Sequence, residues 1–343
     1  MTSNPDALVV GAGSAVGGRL VRSLLLQGLQ VRAVDRRPCP AWTEVHDAAD
    51  NRTVDLGDPA DAVTALAGAV TVYDVTALAP VPAHVDRMTA VLVDTNVLLA
   101  ARETGADRVL VASSLVTGAG VTVGVTEDDR LWRRRFTERM AHHLFDDCDL
   151  QTRVARLGPV YGDLADQHTV VGVVTRRVAA ALAAGRRTVE IPYAADASCS
   201  QVYVDDAVLG LQLIAHGTDT CGPHVVVDPA PVSVADVVAA VVTAAEATLE
   251  VTYSAVLTTP DVVGDAATLR ATVEWTPDIP LSATAQRVWS ATAPDVRRQL
   301  DLPPSVQERR DRRRAAFAVG HVGSPGLSFH RQVAGRHRYE NAG

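Results

Sequence analysis

The sequence predicts an α/β fold, a doubly wound parallel sheet with a smaller C-terminal region. Two observations predict it. Short apolar runs alternate with stretches of helical apolar spacing through the first half of the chain, as parallel strands joined by crossover helices require. The first run, Ala7 to Val10, also leads through a glycine-rich turn, Gly11-Ala12-Gly13-Ser14-Ala15-Val16-Gly17-Gly18, into Leu20, Val21, Leu24 and Leu25 at helical spacing.

The elements follow in order. In the turn, Gly11 makes the bend, Gly13 permits close backbone approach, and Gly17 lets the helix pack on the strand. The amides of Ser14, Ala15 and Val16 lie at the positive end of that helix, where a pyrophosphate binds. Gln30 to Asp35 reads as the second strand. Asp35 stands about 20 residues beyond the turn, where a carboxylate accepts from ribose hydroxyls. Together these make a Rossmann-type dinucleotide site with NAD as the cofactor. Arg36 and Arg37 follow at once and suit the 2′-phosphate of NADP, the alternative. Thr53 to Leu56 reads as a short strand, and Asp58-Pro59 opens a helix that runs to Leu66. Ala69 to Val75 reads as a buried strand, Met88 to Glu103 as a helix ended by Gly105, and Arg108 to Ser114 as a strand ending in hydroxyls. Ligands of such sheets lie at the C-terminal strand ends, where Gly11, Asp35, Ala77 and Ser114 converge.

Composition narrows the function. A chain of 343 residues suits one large α/β domain or two closely packed ones, and 47% apolar residues are ample for a core. No apolar run approaches membrane-spanning length, and the first strand starts too early to leave room for a signal peptide; the expectation is a cytoplasmic protein with no membrane partner. Cys39, Cys148, Cys199 and Cys221 are too scattered for a zinc site or a disulfide framework, so no metal is expected. The net charge of −8 argues against nucleic-acid binding. All 32 basic residues are Arg, so no lysine can act as base, Schiff-base former or proton-relay partner. Drift in a GC-rich genome and selection against primary amines by an electrophilic substrate both account for that.

Several further stretches carry a resemblance. Asp55-Leu56 follows Asp35, Asn96 to Arg102 precedes the serine strand, and Val111-Ala112-Ser113-Ser114 ends it. Arg156-Leu157-Gly158-Pro159-Val160-Tyr161-Gly162, Val202-Tyr203-Val204-Asp205-Asp206-Ala207 and Trp275-Thr276-Pro277 come later in the chain. In this order they resemble the extended short-chain dehydrogenase/reductases of the NAD-dependent epimerase/dehydratase type, over roughly residues 5 to 300. The resemblance implies adenine contacts at Asp55 and Leu56, cofactor contacts from Gly11 through Gly17, and a substrate-orienting hydroxyl at Ser114. It also implies a homodimer paired through helices like Met88–Glu103 and Arg134–Phe145.

The departures matter as much. In that family a Tyr-x-x-x-Lys pair on a helix exchanges the proton, with the lysine depressing the tyrosine pKa. Counting back from Arg156 aligns the pair with Arg134 and Glu138, or after a two-residue shift with Phe136 and Met140. No tyrosine lies between Tyr73 and Tyr161. The family's middle glycine is Ser14, and its Asn ahead of the helix aligns with Ala90. Near the missing pair, Arg135, Glu138, Arg139 and His142 share a helix face, with His142 or the Glu138 carboxylate as the candidate proton carrier. Glu127, Asp128 and Asp129 form an acidic helix start. Tyr161 and Tyr203 are either cleft residues or packing aromatics. Arg176, Arg177, Arg186 and Arg187 flank an alanine-rich helix. Asp205 and Asp206 are expected to cap the helix after them.

The expected organisation is a cofactor domain over residues 1–157, a substrate-side region over 158–302 whose elements partly return to the main sheet, and an Arg-rich extension over 303–343. The leading function is a nicotinamide-dependent epimerase, dehydratase or reductase acting on a hydroxyl- or carbonyl-bearing small molecule with atypical catalytic residues, set in bacterial secondary metabolism. The alternatives are a non-redox lyase, isomerase or cyclase on the same fold, and a protein that senses the cofactor without turnover.

Overall fold

The computed structural model describes residues 4–36, 48–78, 87–115, 129–162, 169–257 and 265–300. Glu127, Asp128 and the Arg-rich extension lie outside them. The chain divides into a compact unit of residues 1–296 and a second unit of residues 297–343, the latter described only as far as Leu300.

The larger unit is built on a seven-stranded sheet. Strands β1 (Ala7–Val10), β2 (Val31–Asp35), β3 (Asp50–Thr53), β4 (Thr71–Asp74), β5 (Arg108–Ser114) and β6 (Gln151–Leu157) come from the first half. A later strand, His224–Val226, pairs beside β6, and every pairing in the sheet is parallel. From one edge the order is His224–Val226, β6, β5, β4, β1, β2, β3. The chain leaves β1 first towards β2 and β3, then crosses back to β4, so the switch point lies between β1 and β4. Ligands of open α/β sheets bind at that crevice.

Helices cover both faces. On one side α1 (Ala15–Leu26) buries Leu20, Val21 and Leu24 against Val9, Tyr73, Leu110 and Ala112. On the other, α2 (Pro59–Leu66), α3 (Arg87–Glu103) and α4 (Asp129–Cys148) bury Leu66, Val97, Leu98, Ala141 and Leu144 against Val10, Val72, Val109 and Val111. Alternation along each strand supplies both cores. Asp58 caps α2, its carboxylate accepting from the amides of Ala60 and Asp61. Gly105 follows α3 with φ +71°, the left-handed conformation that suits glycine after a helix.

Beyond β6 the chain builds a separate core. Helix α5 (Val170–Ala183) and the later helices α6 (Val204–Gly217), α7 (Val234–Ala244), α8 (Ala267–Val273) and α9 (Leu281–Gln299) belong to this half. Val171, Val174 and Val178 of α5 meet Val234, Val237 and Val241 of α7 and Ile191. Helix α6 returns to the main sheet, where Leu211 and Ile214 join the α1 core.

Two expectations need correction. The third strand is Asp50–Thr53, not Thr53 to Leu56. Its side chains are mostly exposed. It is held by backbone pairing to β2 and by Arg32, whose Nε donates to Asp50 Oδ2 at 2.8 Å. Asp205 and Asp206 do not cap α6, because Tyr203 occupies the cap position without a side-chain bond. The Asp206 carboxylate instead accepts from the amides of Asp278 and Ile279 at 3.4 and 3.2 Å, and its carbonyl accepts from the Trp275 indole at 3.0 Å. Asp205 pairs with Arg19 at 3.3 Å.

Helix α4 is locked to β6 by an ion pair. Arg156 Nε and an outer nitrogen donate to the two oxygens of Glu138 at 3.0 and 2.6 Å, and the Glu138 side chain is 7% exposed. Glu138→Ala is therefore expected to lower unfolding free energy by about 3 kcal/mol by stranding a partly buried guanidinium, measured by urea denaturation. A Cβ at Gly17 would collide with the Gly11 carbonyl. Gly17→Ala is expected to cost about 1–3 kcal/mol in the same assay, and an unchanged midpoint would contradict this packing.

Candidate cofactor and active site

The glycine turn stands at the C-terminal end of β1. Gly11 has φ +81°, and a Cβ there would come within 3.2 Å of the Thr76 amide nitrogen. The turn is thus pressed against the chain leaving β4. Ser14 caps α1, its hydroxyl accepting from the Gly17 amide at 3.0 Å. The amides of Ala15 and Val16, in the first turn of α1, have no carbonyl one turn earlier to reach. Gly13 and Ala15 are exposed, so this helix end is open to a ligand.

Asp35 meets the turn directly. Its Oδ2 accepts from the Gly13 amide at 2.9 Å, and a Cβ on Gly13 would lie 2.9 Å from the same oxygen. Only glycine lets the carboxylate close over the turn in this way. Arg36 is exposed beside it, and Arg37 lies outside the described residues. Asp55 is exposed, with Oδ1 accepting from the Gly57 amide at 3.0 Å, and Leu56 is buried. The Asn96 amide donates to the carbonyls of Leu56 and Gly57 at 2.9 and 3.0 Å, fixing the turn that the resemblance assigns to adenine. Ala77 lies in the short 3-10 turn Thr76–Leu78, beside the switch point. The structure therefore gathers Gly11 to Gly17, Asp35 and the Ala77 turn at one sheet edge, with Ser114 on the same edge at the end of β5. A turn with an open helix start, a close-approach glycine and a facing carboxylate fits a dinucleotide.

The catalytic candidates are not gathered there as a group. Ser114 is half-buried and continues the face of Leu110 and Ala112. Ser113 points to the opposite face. It is 1% exposed, and its hydroxyl has no hydrogen-bond partner among the described residues. Its neighbour across the strand pair is Arg156. Glu138 is committed to Arg156, as above. His142 stands apart from Ser114: the preceding residue, Ala141, accepts through its carbonyl from the Thr152 hydroxyl at 2.6 Å. Thr152 pairs with Val109, whereas Ser114 pairs with Leu157, so the two lie roughly 16 Å apart along the strands. Arg135, Glu138, Arg139 and His142 do run down one side of α4, but that side straddles the rim of its packing surface: Arg135 and Arg139 are exposed, His142 is half-buried and Glu138 is buried. Tyr161 and Tyr203 are buried and meet edge-on at 5.5 Å, lining a cavity of about 30 Å³ with Gln201 and Asp206.

Sequence reasoning missed a second layer at this edge. Asp74 ends β4, Asp94 comes from α3, and Arg133 and Thr137 come from α4. Arg133 Nε donates to Asp94 Oδ2 at 2.8 Å, and the Thr137 hydroxyl lies 2.8 Å from the same oxygen. The Thr76 hydroxyl lies 2.6 Å from Asp74 Oδ1 and 2.9 Å from Asp94 Oδ1. Burial, with Asp94 as a second cause, pushes the Asp74 carboxyl up to about 7. The available signal was an aspartate inside each of two apolar stretches, Val70 to Val75 and Val91 to Leu99, since a buried carboxylate demands partners. Among the described residues no cluster of three His, Cys, Asp or Glu could hold a metal ion, and no helix is long and apolar enough to cross a membrane.

Comparison with solved structures agrees with this architecture. The UDP-N-acetylglucosamine 4-epimerase of Methanobrevibacter ruminantium, in complex with UDP-N-acetylmuramic acid, is 18% identical with a TM-score of 0.68, over 84% of this chain and 99% of that one. The UDP-glucose 4-epimerase of Thermus thermophilus, in complex with NAD, is 21% identical with a TM-score of 0.68, over 83% and 98%. The NAD-dependent NDP-hexosamine 5,6-dehydratase TunA, involved in tunicamycin biosynthesis, is 16% identical with a TM-score of 0.64, over 83% and 96%. At these identities the likeness establishes the fold. No curated protein sequence matches. The sequence model described as the NAD dependent epimerase/dehydratase family matches residues 7–227, more than half of the chain and all of the glycine-turn site. That match supports NAD as the cofactor of the turn. On this ground the chain belongs to the NAD-dependent epimerase/dehydratase family.

Proposed function

We propose that the protein is an NAD-dependent enzyme of epimerase or dehydratase type acting on a hydroxyl-bearing small molecule of the nucleotide-sugar class. The observation that carries this reading is the meeting of Gly13 and the Asp35 carboxylate at the open start of α1. Asp35 would take the ribose hydroxyls of the adenosine half, and the amides of α1 the pyrophosphate. Bound NAD supplies a hydride acceptor and donor. Ser114, at the end of β5, would orient the substrate oxygen. Residues 1–157 would hold the cofactor and 158–302 the substrate, with 303–343 as an extension. The substrate class comes from the structural relatives. A role in bacterial secondary metabolism draws its support from the Arg-only, Ala- and Val-rich composition.

The absent tyrosine and lysine, with Glu138 held by Arg156 and His142 far down α4, favour a second reading: a non-redox lyase, isomerase or cyclase in the same cleft, or a cofactor sensor. They are separated by the state of the cofactor. Transient reduction of bound NAD on adding substrate, followed by its absorbance, supports the redox reading; turnover without it supports the lyase, isomerase or cyclase, and cofactor binding without turnover supports the sensor.

A homodimer belongs to the same proposal. Helix α3 exposes Met88, Leu92 and Leu99, and the adjoining α4 exposes Trp132 and Phe136, whose rings stack at 5.8 Å. Such an apolar patch suits a self-complementary helix pairing. Sedimentation is expected to find a dimer, and Leu92→Arg with Phe136→Arg a monomer; a wild-type monomer would end this part of the reading. Calorimetric titration with NAD, NADH, NADP and NADPH tests the site. Tight binding of the NAD pair, weakened about tenfold or more by Asp35→Ala, is the expected result, since that carboxylate's hydrogen bonds are charge-assisted. Binding of none of the four would hand the lead to the cofactor-free reading.

A further inference from the structure

Two carboxylates lie beneath the glycine turn, both almost wholly buried. Asp74 is 2% exposed and Asp94 is 1% exposed. The charged groups facing Asp74 are Asp94, from α3, and Arg133, from α4. Arg133 pairs with Asp94, through Nε at 2.8 Å and an outer nitrogen at 2.5 Å, and that outer nitrogen also reaches Thr76 Oγ1 at 3.4 Å. One positive charge thus faces two acids in a buried site. The second acid has no counter-charge, and burying an uncompensated carboxylate is costly enough that such a group takes a proton instead.

The hydrogen bonds at Thr76 make the same demand. Its Oγ1 stands 2.6 Å from Asp74 Oδ1 and 2.9 Å from Asp94 Oδ1. A hydroxyl has one hydrogen, and an ionised carboxylate has none to offer. With both acids ionised, one of these close contacts lacks a proton. A proton on Asp74 completes the chain: Asp74 Oδ1–H donates to Thr76 Oγ1, and Thr76 Oγ1–H donates to Asp94 Oδ1. The Thr76 amide also donates to Asp74 Oδ1 at 3.0 Å, so side chain and backbone of Thr76 are held together. That backbone is the surface on which Gly11 rests.

We propose that Asp74 is a positioning residue for the cofactor turn and does this work in its protonated form, with Thr76 bridging it to Asp94. When the proton leaves, the Thr76 hydroxyl can serve only one of two facing anions, Thr76 shifts, and the Gly11 turn loses its support. The inference rests on the glycine turn being the NAD site. It requires no titration of cofactor or substrate.

The test is NADH affinity of the full chain, read by fluorescence from pH 5.5 to 8.5, in the wild type and in Asp74→Asn. If only the protonated form holds the turn, wild-type affinity is lost as pH rises through the Asp74 midpoint, by about tenfold at one unit above it. Asp74→Asn, whose amide can donate to Thr76 Oγ1 and has no proton to lose, is expected to bind with a flat profile. A role in packing alone would leave the two profiles parallel. A flat wild-type profile or parallel profiles overturn the inference and leave the NAD reading intact; no NADH binding at any pH overturns both. The infrared spectrum of the cofactor-free wild type serves if the variant does not fold. A protonated-carboxyl band present at pH 6 and gone at pH 8.5 is expected, and its absence at pH 6 overturns the inference.

Discussion

The carbonyl of Gly11 and the backbone of α1 at Gly17 approach so closely that no side chain fits between them, and the geometry of the cofactor edge follows from that approach. It brings the start of α1 against the end of β1, so the amides of Ala15 and Val16, which have no carbonyl one turn earlier, stand beside the switch point. It also leaves Gly13 at the height of the end of β2, where Asp35 can reach it. A side chain at either glycine would move the helix away from the sheet, and the carboxylate and helix start would no longer address the same point. The remaining support comes from below, where the chain leaving β4 presses on Gly11.

That lower support is polar, which is unusual so deep in a sheet. Asp94, Arg133, Thr137, Thr76 and Asp74 join two helices to a strand end through charged and hydroxyl groups. A well-packed apolar set of the same volume is often as stable as a buried ion pair. What the polar set adds is direction: a guanidinium making two bonds to one carboxylate admits one arrangement of α3 against α4. The pair Glu138–Arg156 does the same for α4 against β6. The helix that carries the catalytic pair elsewhere in the family is here held at two heights by arginines.

Much of this was legible in the sequence, and the boundary has physical causes. The strand and helix order, the glycine turn and Asp35 were readable because adjacent residues determine them: apolar alternation, positive-φ glycines, a carboxylate at a strand end. The edge strand was misplaced because Asp50–Thr53 is exposed and carries no apolar signal; its pairing is a matter of backbone and of Arg32, distant in the chain. Asp205 and Asp206 looked like caps because acids favour helix starts, yet Asp206 is bonded to residues some 70 positions later. His142 was offered as a proton carrier because helical spacing shows which face a residue shares, while its height along the sheet depends on a tertiary bond to Thr152. The Asp74–Thr76–Asp94 bridge joins the chain leaving β4 to α3, and no local pattern announces its second half.

The anchor formed by Asp206 has a consequence for where the folded unit ends. The family match stops at residue 227, close behind the last strand of the main sheet. The indole of Trp275 is nevertheless 1% exposed, lies against Gly210 of α6, and donates to the Asp206 carbonyl. It fills part of the same core as Leu20 and Leu211. A fragment cut at the edge of the family match would expose a slot the size of an indole and leave Asp206 facing no amides. The smallest portion that can be excised, fused or circularly permuted as one piece therefore extends past Ile279, some fifty residues beyond the last residue of the family-model match.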